Sequence, residues 1–300
     1  MAANIATVET HSPSGDTAPG DPGARFEALY AQAWADLARL RDTPPAAPWL
    51  LPEATPVLAY GVWQTARIAT AALNPSEDEF QTREAPRRAL PPERQRLLHW
   101  PADGCLTPAR LAEARRLAEG YFTRGQAYWT WFGRYRGLLD ALGMPFESGL
   151  ACQTNYGSPY TTVVGWGAVR STACRTLLAR HGGPVWRALL ELMPHLQIVL
   201  GQGAGWRTVP PLFGFTPDAW TPLPTEFDRK GGAAAGARPH LLHRRVVVAG
   251  RPVDLFWWRP NRGGPLTWLS DTDARRLGAI IAAVAGKAPA QVDEAGCQGA

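Results

Sequence analysis

Short apolar segments that end in turn residues alternate along this chain with segments of helical periodicity. Three short apolar segments and one segment rich in β-branched and aromatic residues predict strands, at residues 67–73, 148–155, 194–201 and 245–258. Apolar residues at helical spacing predict helices at residues 26–40, 107–117, 121–142, 168–180, 184–192 and 271–285. This alternation favours a parallel sheet with helices on both faces.

Composition predicts one folded region between two polar ends. Residues 1–24 are rich in Ser, Pro, Gly, Thr and Asp, which predicts a disordered leader. Residues 25–286 are predicted to form a single α/β domain, because 45% apolar residues suffice for one large core; the length alone would also allow two domains. Within it, residues 207–243 are Pro- and Gly-rich and predict a long insertion. Residues 287–300 are predicted to be a disordered tail.

The first predicted strand delivers an asparagine to its carboxyl end. Pro75 cannot donate to a strand ladder, so the strand must stop there and place Asn74 at its edge. In open α/β sheets, ligands bind at this edge. The Asn-Pro pair is therefore either a site for chemistry or a simple strand-ending turn.

Three carboxylates follow the Asn-Pro pair. Glu77, Asp78 and Glu79 offer a general base close to the strand end, or they complement the dipole of a helix N-terminus. Asp78 is the preferred base, because its offset of four residues from Asn74 could return it to the same side of a tight turn.

Three segments at or near predicted strand ends carry distinctive motifs. Residues 72–76 are Ala-Leu-Asn-Pro-Ser, residues 154–155 are Thr-Asn, and residues 260–266 are Pro-Asn-Arg-Gly-Gly-Pro-Leu. These motifs and their order resemble the uracil-DNA glycosylase superfamily: its first motif, its strand-end base-reading motif, and a divergent form of its second motif. The resemblance spans residues 68–285. It implies a three-layer α/β/α sandwich with a short, mostly parallel central sheet, which the strand–helix alternation fits.

The resemblance implies an enzyme that flips a base out of DNA and hydrolyses its N-glycosidic bond, leaving an abasic site. Asn74 would orient the attacking water through its side-chain oxygen, as in the Asn-type members. Asn155 would read the base edge, since its amide presents a donor and an acceptor, and Tyr156 would crowd whatever lies beside it. Phe80 would either stack under the flipped base or anchor its loop to the core. One or two aromatic side chains of residues 121–142 could also project toward the base.

The second motif departs from the family pattern. The usual His is absent, and Arg259-Pro260-Asn261 stands in its place. Asn261 or Arg259 would stabilise the departing base. Arg262 or Leu266 would be the wedge that fills the vacated stack. This departure and the long insertion favour a bulky or unusual base. The expected base is a pyrimidine, either uracil or a modified cytosine such as the hypermodified cytosines of bacterial viruses, in DNA repair or antiviral defence.

The basic residues are almost all arginine. The net charge is +5, and Lys230 and Lys287 are the only lysines. Basic residues cluster at residues 83–88, 94–96, 243–245 and 259–262. Because the planar guanidinium suits phosphate contacts, these clusters either line a groove for the DNA backbone or are solvated faces. Neither lysine adjoins a predicted strand end, so no Schiff base with the sugar is expected. A glycosylase of this kind is predicted to be monofunctional.

The remaining patterns restrict cofactors, partners and location. The four cysteines are far apart and form no CxxC pair, which argues against zinc and against an iron–sulfur cluster. We therefore expect no metal and no cofactor. Apolar runs stay shorter than the roughly 18 residues of a membrane helix, and no secretory signal is visible. The expectation is a cytoplasmic monomer that binds DNA and no membrane. The alternatives are a nucleoside or nucleotide N-glycosidase and a non-catalytic DNA-binding module on the same fold.

Overall fold

The computed structural model describes residues 20–125, 127–223, 240–259 and 269–286. The α-helices are α1 Pro22–Arg41, α2 Pro108–Glu119, α3 Trp129–Phe132, α4 Arg136–Ala141, α5 Thr172–Leu192, α6 Gly205–Thr208 and α7 Asp271–Val284. The strands are β1 Ala59–Tyr60, β2 Ile68–Ala72, β3 Ala151–Asn155, β4 Ile198–Gln202, β5 Thr221–Leu223, β6 His240–Val248 and β7 Arg251–Arg259.

The strands of the described residues form one mixed sheet in the order β1-β3-β2-β4-β7-β6-β5. The central strands β3, β2, β4 and β7 are parallel, whereas β1, β6 and β5 run antiparallel to their neighbours at the two edges. Helices flank the sheet on both faces. The predicted α/β/α sandwich with a mostly parallel centre is confirmed.

Side chains that alternate along the central strands build one core on each face of the sheet. Ala69 and Val199 belong to the core that includes residues of α1 and α5. Ile68 and Leu200 belong to the core on the opposite face, with residues of α4 and α7. Because β2, β3 and β4 are parallel, their carboxyl ends meet at one edge of the sheet, between the two cores.

The predicted strand at residues 245–258 is corrected to a hairpin. Strands β6 and β7 pair antiparallel from His240 opposite Arg259 to Val248 opposite Arg251. The two residues between them, Ala249 and Gly250, have φ values of 47° and 76°. Two successive left-handed residues make the tight turn whose twist matches paired strands. Only β7 joins the parallel centre of the sheet.

Helix α5 replaces the two helices predicted at residues 168–180 and 184–192. It continues through Pro184, and Gly182 lies where the helix crosses the turn after β3. A Cβ at Gly182 would lie 2.5 Å from the Cα of Ser158. The glycine therefore permits close packing of the helix and does not end it.

The helix predicted at residues 121–142 begins only at Trp129. Before it, the described residues form turns, and the backbone N–H of Tyr128 donates to the Tyr121 hydroxyl (2.9 Å). A side-chain hydroxyl thus accepts from the Tyr128 N–H, which would donate to a backbone carbonyl in a helix.

The first helix begins inside the region predicted to be a disordered leader. Helix α1 starts at Pro22, and the side chain of Asp21 caps it by accepting from the Gly23 N–H (3.0 Å). Proline at the first helical position and an acidic N-cap are a favourable start signal. The boundary predicted at residue 24 is therefore wrong for residues 22–24, and residues 1–19 lie outside the described part.

The insertion predicted at residues 207–243 contributes to the sheet. Its described residues form short helical turns and strand β5, which pairs with β6. Strand β6 itself begins within the predicted insertion. Residues 224–239 and the predicted tail at 287–300 lie outside the described residues.

Candidate functional site

A cavity of about 650 Å³ opens at the carboxyl ends of β2, β3 and β4. Each of these strands contributes its last residue to the lining: Ala72, Asn155 and Gln202. The loop after β2, the segment around α3 and the loop after β3 supply the remaining walls. This is the edge of an open α/β sheet at which ligands characteristically bind.

Asn74 lines this cavity, and its amide orientation follows from its neighbours. Its Nδ2 donates to the Thr162 hydroxyl oxygen (3.1 Å), and that hydroxyl donates to the Val164 carbonyl (2.6 Å). Because the Thr162 proton is committed to Val164, Thr162 can only accept from Asn74. The amide nitrogen therefore faces Thr162, and the described residues offer no donor to the Asn74 Oδ1.

Asn155 lines the same cavity from the end of the neighbouring strand. Its Nδ2 donates to the Val57 carbonyl (3.1 Å), which fixes the amide nitrogen on that side because a carbonyl can only accept. The side chain is buried, and within the described part no group donates to its Oδ1. Asn155 therefore holds an oriented acceptor at the cavity wall, with one N–H left over.

Glu79 brings a buried carboxyl group to the cavity. This residue is 1% exposed, and both carboxyl oxygens accept from the Tyr121 hydroxyl at 2.7 Å. The Arg96 guanidinium lies 3.6 Å away. Burial raises the pKa of Glu79 to about 7, although the Tyr121 hydrogen bond and Arg96 oppose the rise. A carboxyl group that titrates near neutrality in a cavity wall is suited to proton transfer.

Aromatic side chains provide the flat surfaces of the cavity. Trp131 from α3 and Trp166 from the loop after β3 are partly exposed and line it, with Tyr60 and Phe132 deeper in the wall. Tyr135 also lines it, and its buried hydroxyl lacks a hydrogen-bond partner among the described residues. Stacking faces and an unsatisfied donor are what a flat polar ligand requires. Several aromatic residues of 121–142 thus line this cavity, and their stacking on a base stays a prediction.

Asp78, the preferred general base from the sequence, faces away from this cavity. Its carboxylate accepts from Arg83 (3.1 Å), Arg87 (2.9 Å) and the Tyr128 hydroxyl (3.1 Å). The 3₁₀ turn Glu77–Glu79 explains the difference, because its three residues per turn direct Asp78 and Glu79 about 120° apart. Glu77 and Glu79 both line the cavity, and Glu79 is the buried one of the two.

Phe80 and Tyr156 also lie outside the cavity lining. Phe80 has no exposed surface and packs in the core beside His99, with ring centroids 5.6 Å apart, so its anchoring role replaces the predicted stacking role. Tyr156 lies on the opposite face of the sheet, 4.9 Å from Trp257 between ring centroids. Adjacent strand residues point to opposite faces, so Tyr156 cannot crowd the ligand side of Asn155.

Arg259 lies at the end of β7, at the same edge of the sheet as the cavity but outside its lining. Its guanidinium stacks on Trp206, 4.5 Å from the ring centroid, and Arg207 approaches the same ring at 4.6 Å. Arg259 therefore does not lie in the cavity wall, where a departing base would be stabilised. It remains a candidate for contact with the DNA backbone. Asn261, Arg262 and Leu266 lie outside the described residues.

A second, polar cavity of about 340 Å³ adjoins the first at Tyr128. Arg83, Arg94 and Arg96 line it, together with Asp78. Arg134 lines the main cavity, its guanidinium 5.0 Å from the Trp131 ring centroid. The sequence clusters of arginine thus lie partly beside the main cavity.

Three further findings concern the described residues as a whole. They contain no group of three or more His, Cys, Asp or Glu side chains placed to hold a metal ion. Their helices are all too short or too polar to cross a membrane. Cys105, Cys152 and Cys174 are free thiols.

Comparison with known proteins returns no family model, no curated protein and no solved structure that matches this chain. Its function must therefore be inferred from the chemistry of the cavity and from the sequence motifs that lead to it.

Proposed function

We propose that this protein is a monofunctional DNA glycosylase of the uracil-DNA glycosylase superfamily type, which extrudes a pyrimidine from DNA and hydrolyses its N-glycosidic bond. The observation that carries the proposal is the pair of asparagine amides, Asn74 and Asn155, at the ends of neighbouring parallel strands. Both line one cavity, and both have their nitrogen engaged and their oxygen free. One oxygen can hold a water molecule while the other reads a base.

The reaction requires a water molecule at the sugar C1′ as the base departs. Asn74 would hold that water through Oδ1, because Thr162 already fixes the amide nitrogen. An amide is too weak a base to take the proton early, so its role is to position the water. The sugar develops oxocarbenium character as the base leaves, and water then adds to C1′. Preorganised polar contacts of this kind lower the barrier because they need no reorganisation during the reaction.

The size of the cavity supports a substituted pyrimidine. A volume of about 650 Å³ lies within the range that encloses drug-sized ligands, whereas a flipped pyrimidine ring alone is smaller than such ligands. Trp131 and Trp166 can stack on the ring or on a substituent. A modified cytosine therefore fits at least as well as uracil, in keeping with either a repair or an antiviral role.

The arginine groups near the main cavity support DNA as the partner. A flipped nucleotide stays attached to its backbone, so phosphates must pass close to the cavity mouth. Arg83, Arg94 and Arg96 in the polar cavity and Arg134 beside Trp131 are placed for such contacts. The number of phosphates that these arginines neutralise would determine how steeply DNA binding weakens with increasing salt concentration.

Release of a free base from DNA tests the proposal directly. The protein is incubated with genomic and viral DNAs of diverse base content, and the released bases are identified by mass spectrometry. We expect a pyrimidine in the supernatant and alkali-labile abasic sites in the DNA. Cleavage of free nucleosides but not of DNA would indicate a nucleosidase instead. DNA binding with no release from any DNA would indicate a non-catalytic module.

Asn155→Asp is expected to change which base is excised more than it changes DNA binding. The introduced carboxyl group would place an oxygen against the Val57 carbonyl, so the side chain must retain a proton or turn, and the base meets a different donor pattern. One matched base-edge contact discriminates by about 1–3 kcal/mol, so the ratio of rates on uracil and cytosine-derived DNA should change by about fivefold or more. Single-turnover rates on both DNAs measure this ratio. Asn155→Ala, which removes the whole amide, is expected to lower both rates equally. An equal loss of rate on both DNAs in Asn155→Asp as well would indicate that Asn155 has a structural role.

A further inference from the structure

Among the described residues that line the cavity, Glu79 has a buried carboxyl group. The hydrolysis outlined above does not use this group. It lies in the 3₁₀ turn Glu77–Glu79, five residues after Asn74, and both residues line the same cavity. Burying a carboxyl group is costly unless it is paired or protonated. Among the described residues, Glu79 accepts from the Tyr121 hydroxyl and forms an ion pair with Arg96 at 3.6 Å, and burial still raises its pKa. The cavity wall therefore holds a buried carboxyl group that can carry a proton.

The chemistry of the leaving base determines whether such a proton is needed. Uracil has two carbonyl groups that spread negative charge, so it can depart as an anion stabilised by nearby donors. Cytosine has an amino group in place of one carbonyl, and its anion is a poorer leaving group. Protonation of the cytosine ring at N3 turns the departing base into a neutral molecule. A cytosine-type substrate therefore needs an acid that uracil can do without.

We propose that Glu79 is the general acid that protonates a cytosine-type base as it leaves, so that the substrate of this site is a cytosine derivative and not uracil. This inference rests on the proposed glycosylase function and narrows its substrate class.

The proposed step balances without a co-reactant. The proton of Glu79 passes to N3 of the base, the bond between C1′ and N1 breaks, and its electron pair stays on the base. The water held by Asn74 forms the new bond to C1′. The proton that this water loses restores the acid form of Glu79 through solvent. The net change is hydrolysis of one glycosidic bond.

Burial and the groups around Glu79 bring its pKa close to neutrality. Tyr121, which follows α2, donates to the carboxylate, and its own oxygen is held by the Tyr128 N–H. Tyr60 from β1 and Arg96 from the preceding loop face the group, with Asp78 beside it. Desolvation outweighs the attraction of Arg96, and the pKa of Glu79 rises to about 7. A carboxyl group with a pKa near neutrality can both donate a proton to a departing base and regain it from solvent.

The test compares two DNA duplexes of one sequence, which carry either uracil or 5-hydroxymethylcytosine at the same position. Single-turnover base release is measured from pH 5.5 to 9 for the wild-type protein, Glu79→Gln and the control Glu113→Gln, whose carboxylate lies on α2. For the cytosine substrate, the wild-type rate should fall about tenfold per pH unit above pH 7. Glu79→Gln should lose about a hundredfold of that rate at pH 6 and should lose the pH dependence. Glu113→Gln should behave as the wild type.

Each outcome decides between the proposals. Release of uracil alone, or release of both bases with one pH profile, overturns the role of Glu79 and leaves the glycosylase function intact. Release of neither base by the wild-type protein overturns the glycosylase function for both pyrimidines, and the role of Glu79 with it. Should Glu79→Gln fail to fold, the two wild-type pH profiles still separate an acid-dependent reaction from an acid-independent one.

Discussion

Asn74→Ala is expected to abolish base release while leaving DNA affinity nearly intact. Asn74 follows the end of β2, where no described residue donates to its Oδ1 and where it forms no hydrogen bond with a described arginine. Loss of one preorganised polar contact of this kind costs about a hundredfold or more in rate. Single-turnover base release and an equilibrium DNA-binding assay, run on the same DNA, measure the two quantities. Release within a few fold of the wild-type rate would remove Asn74 from the mechanism.

The neighbour of Asn74 offers a matched pair of control variants. Thr162→Val removes the hydroxyl that orients the amide, and Thr162→Ser retains it. Thr162→Val should slow release about tenfold to a hundredfold because the amide can then turn, and Thr162→Ser should stay close to wild type. Equal losses in the two variants would show that packing at this position, and not orientation of Asn74, limits the rate.

The parallel strands and their ends were accessible from the sequence because local signals mark them. Pro75 stops β2, and small apolar residues without helical period precede Asn74 and Asn155. Parallel strands present their carboxyl ends at one edge, so the meeting of the two asparagines followed from topology. The helix predicted at residues 271–285 likewise begins at Asp271, where the Ser270 side chain caps it by accepting from the Asp273 N–H.

Other features depended on contacts between distant residues. Glu79 is distinguished from Asp78 by Tyr121, which lies 42 residues later, and by burial that no local pattern encodes. Gly182 resembles a helix break until the turn at Ser158 is seen to pack against it. Such features depend on which distant residues the fold brings into contact, and local sequence patterns do not predict these contacts.

Two errors could have been avoided from strand geometry alone. Asn155 and Tyr156 are adjacent, and period-two alternation sends neighbours to opposite faces. The residue that shares the face of Asn155 is Gln153, which indeed lines the cavity. Likewise, Ala249-Gly250 between two β-branched runs carries the glycine of a two-residue hairpin turn.

Glu79→Gln is expected to make the stability of the protein less dependent on pH. In the folded protein, burial raises the pKa of Glu79 from 4.5 to about 7. Between these values the folded state holds a proton that the unfolded state has released, so the free energy of unfolding falls as pH rises through this window. It levels off above pH 7. Glutamine cannot ionise but can still accept from the Tyr121 hydroxyl, so the variant should escape this fall.

The size of the effect follows from the shift in pKa. Each pH unit of the window corresponds to about 1.4 kcal/mol, so the stability of Glu79→Gln relative to wild type should rise by about 2–3 kcal/mol between pH 5 and pH 8. Urea unfolding at several pH values measures this difference, and other titrating groups cancel because the two proteins share them. Glu113→Gln is the matched control, because hydrogen bonds from Arg116 lower the pKa of Glu113 and keep its carboxylate ionised throughout this range. An equal trend in Glu113→Gln would show that the trend does not report on Glu79. A difference between Glu79→Gln and wild type that stays constant with pH would mean that the Glu79 pKa is not raised by folding and that Glu79 is mostly ionised above pH 5. The group would then hold no proton to give to a departing base at neutral pH, and the acid role would fail on thermodynamic grounds alone.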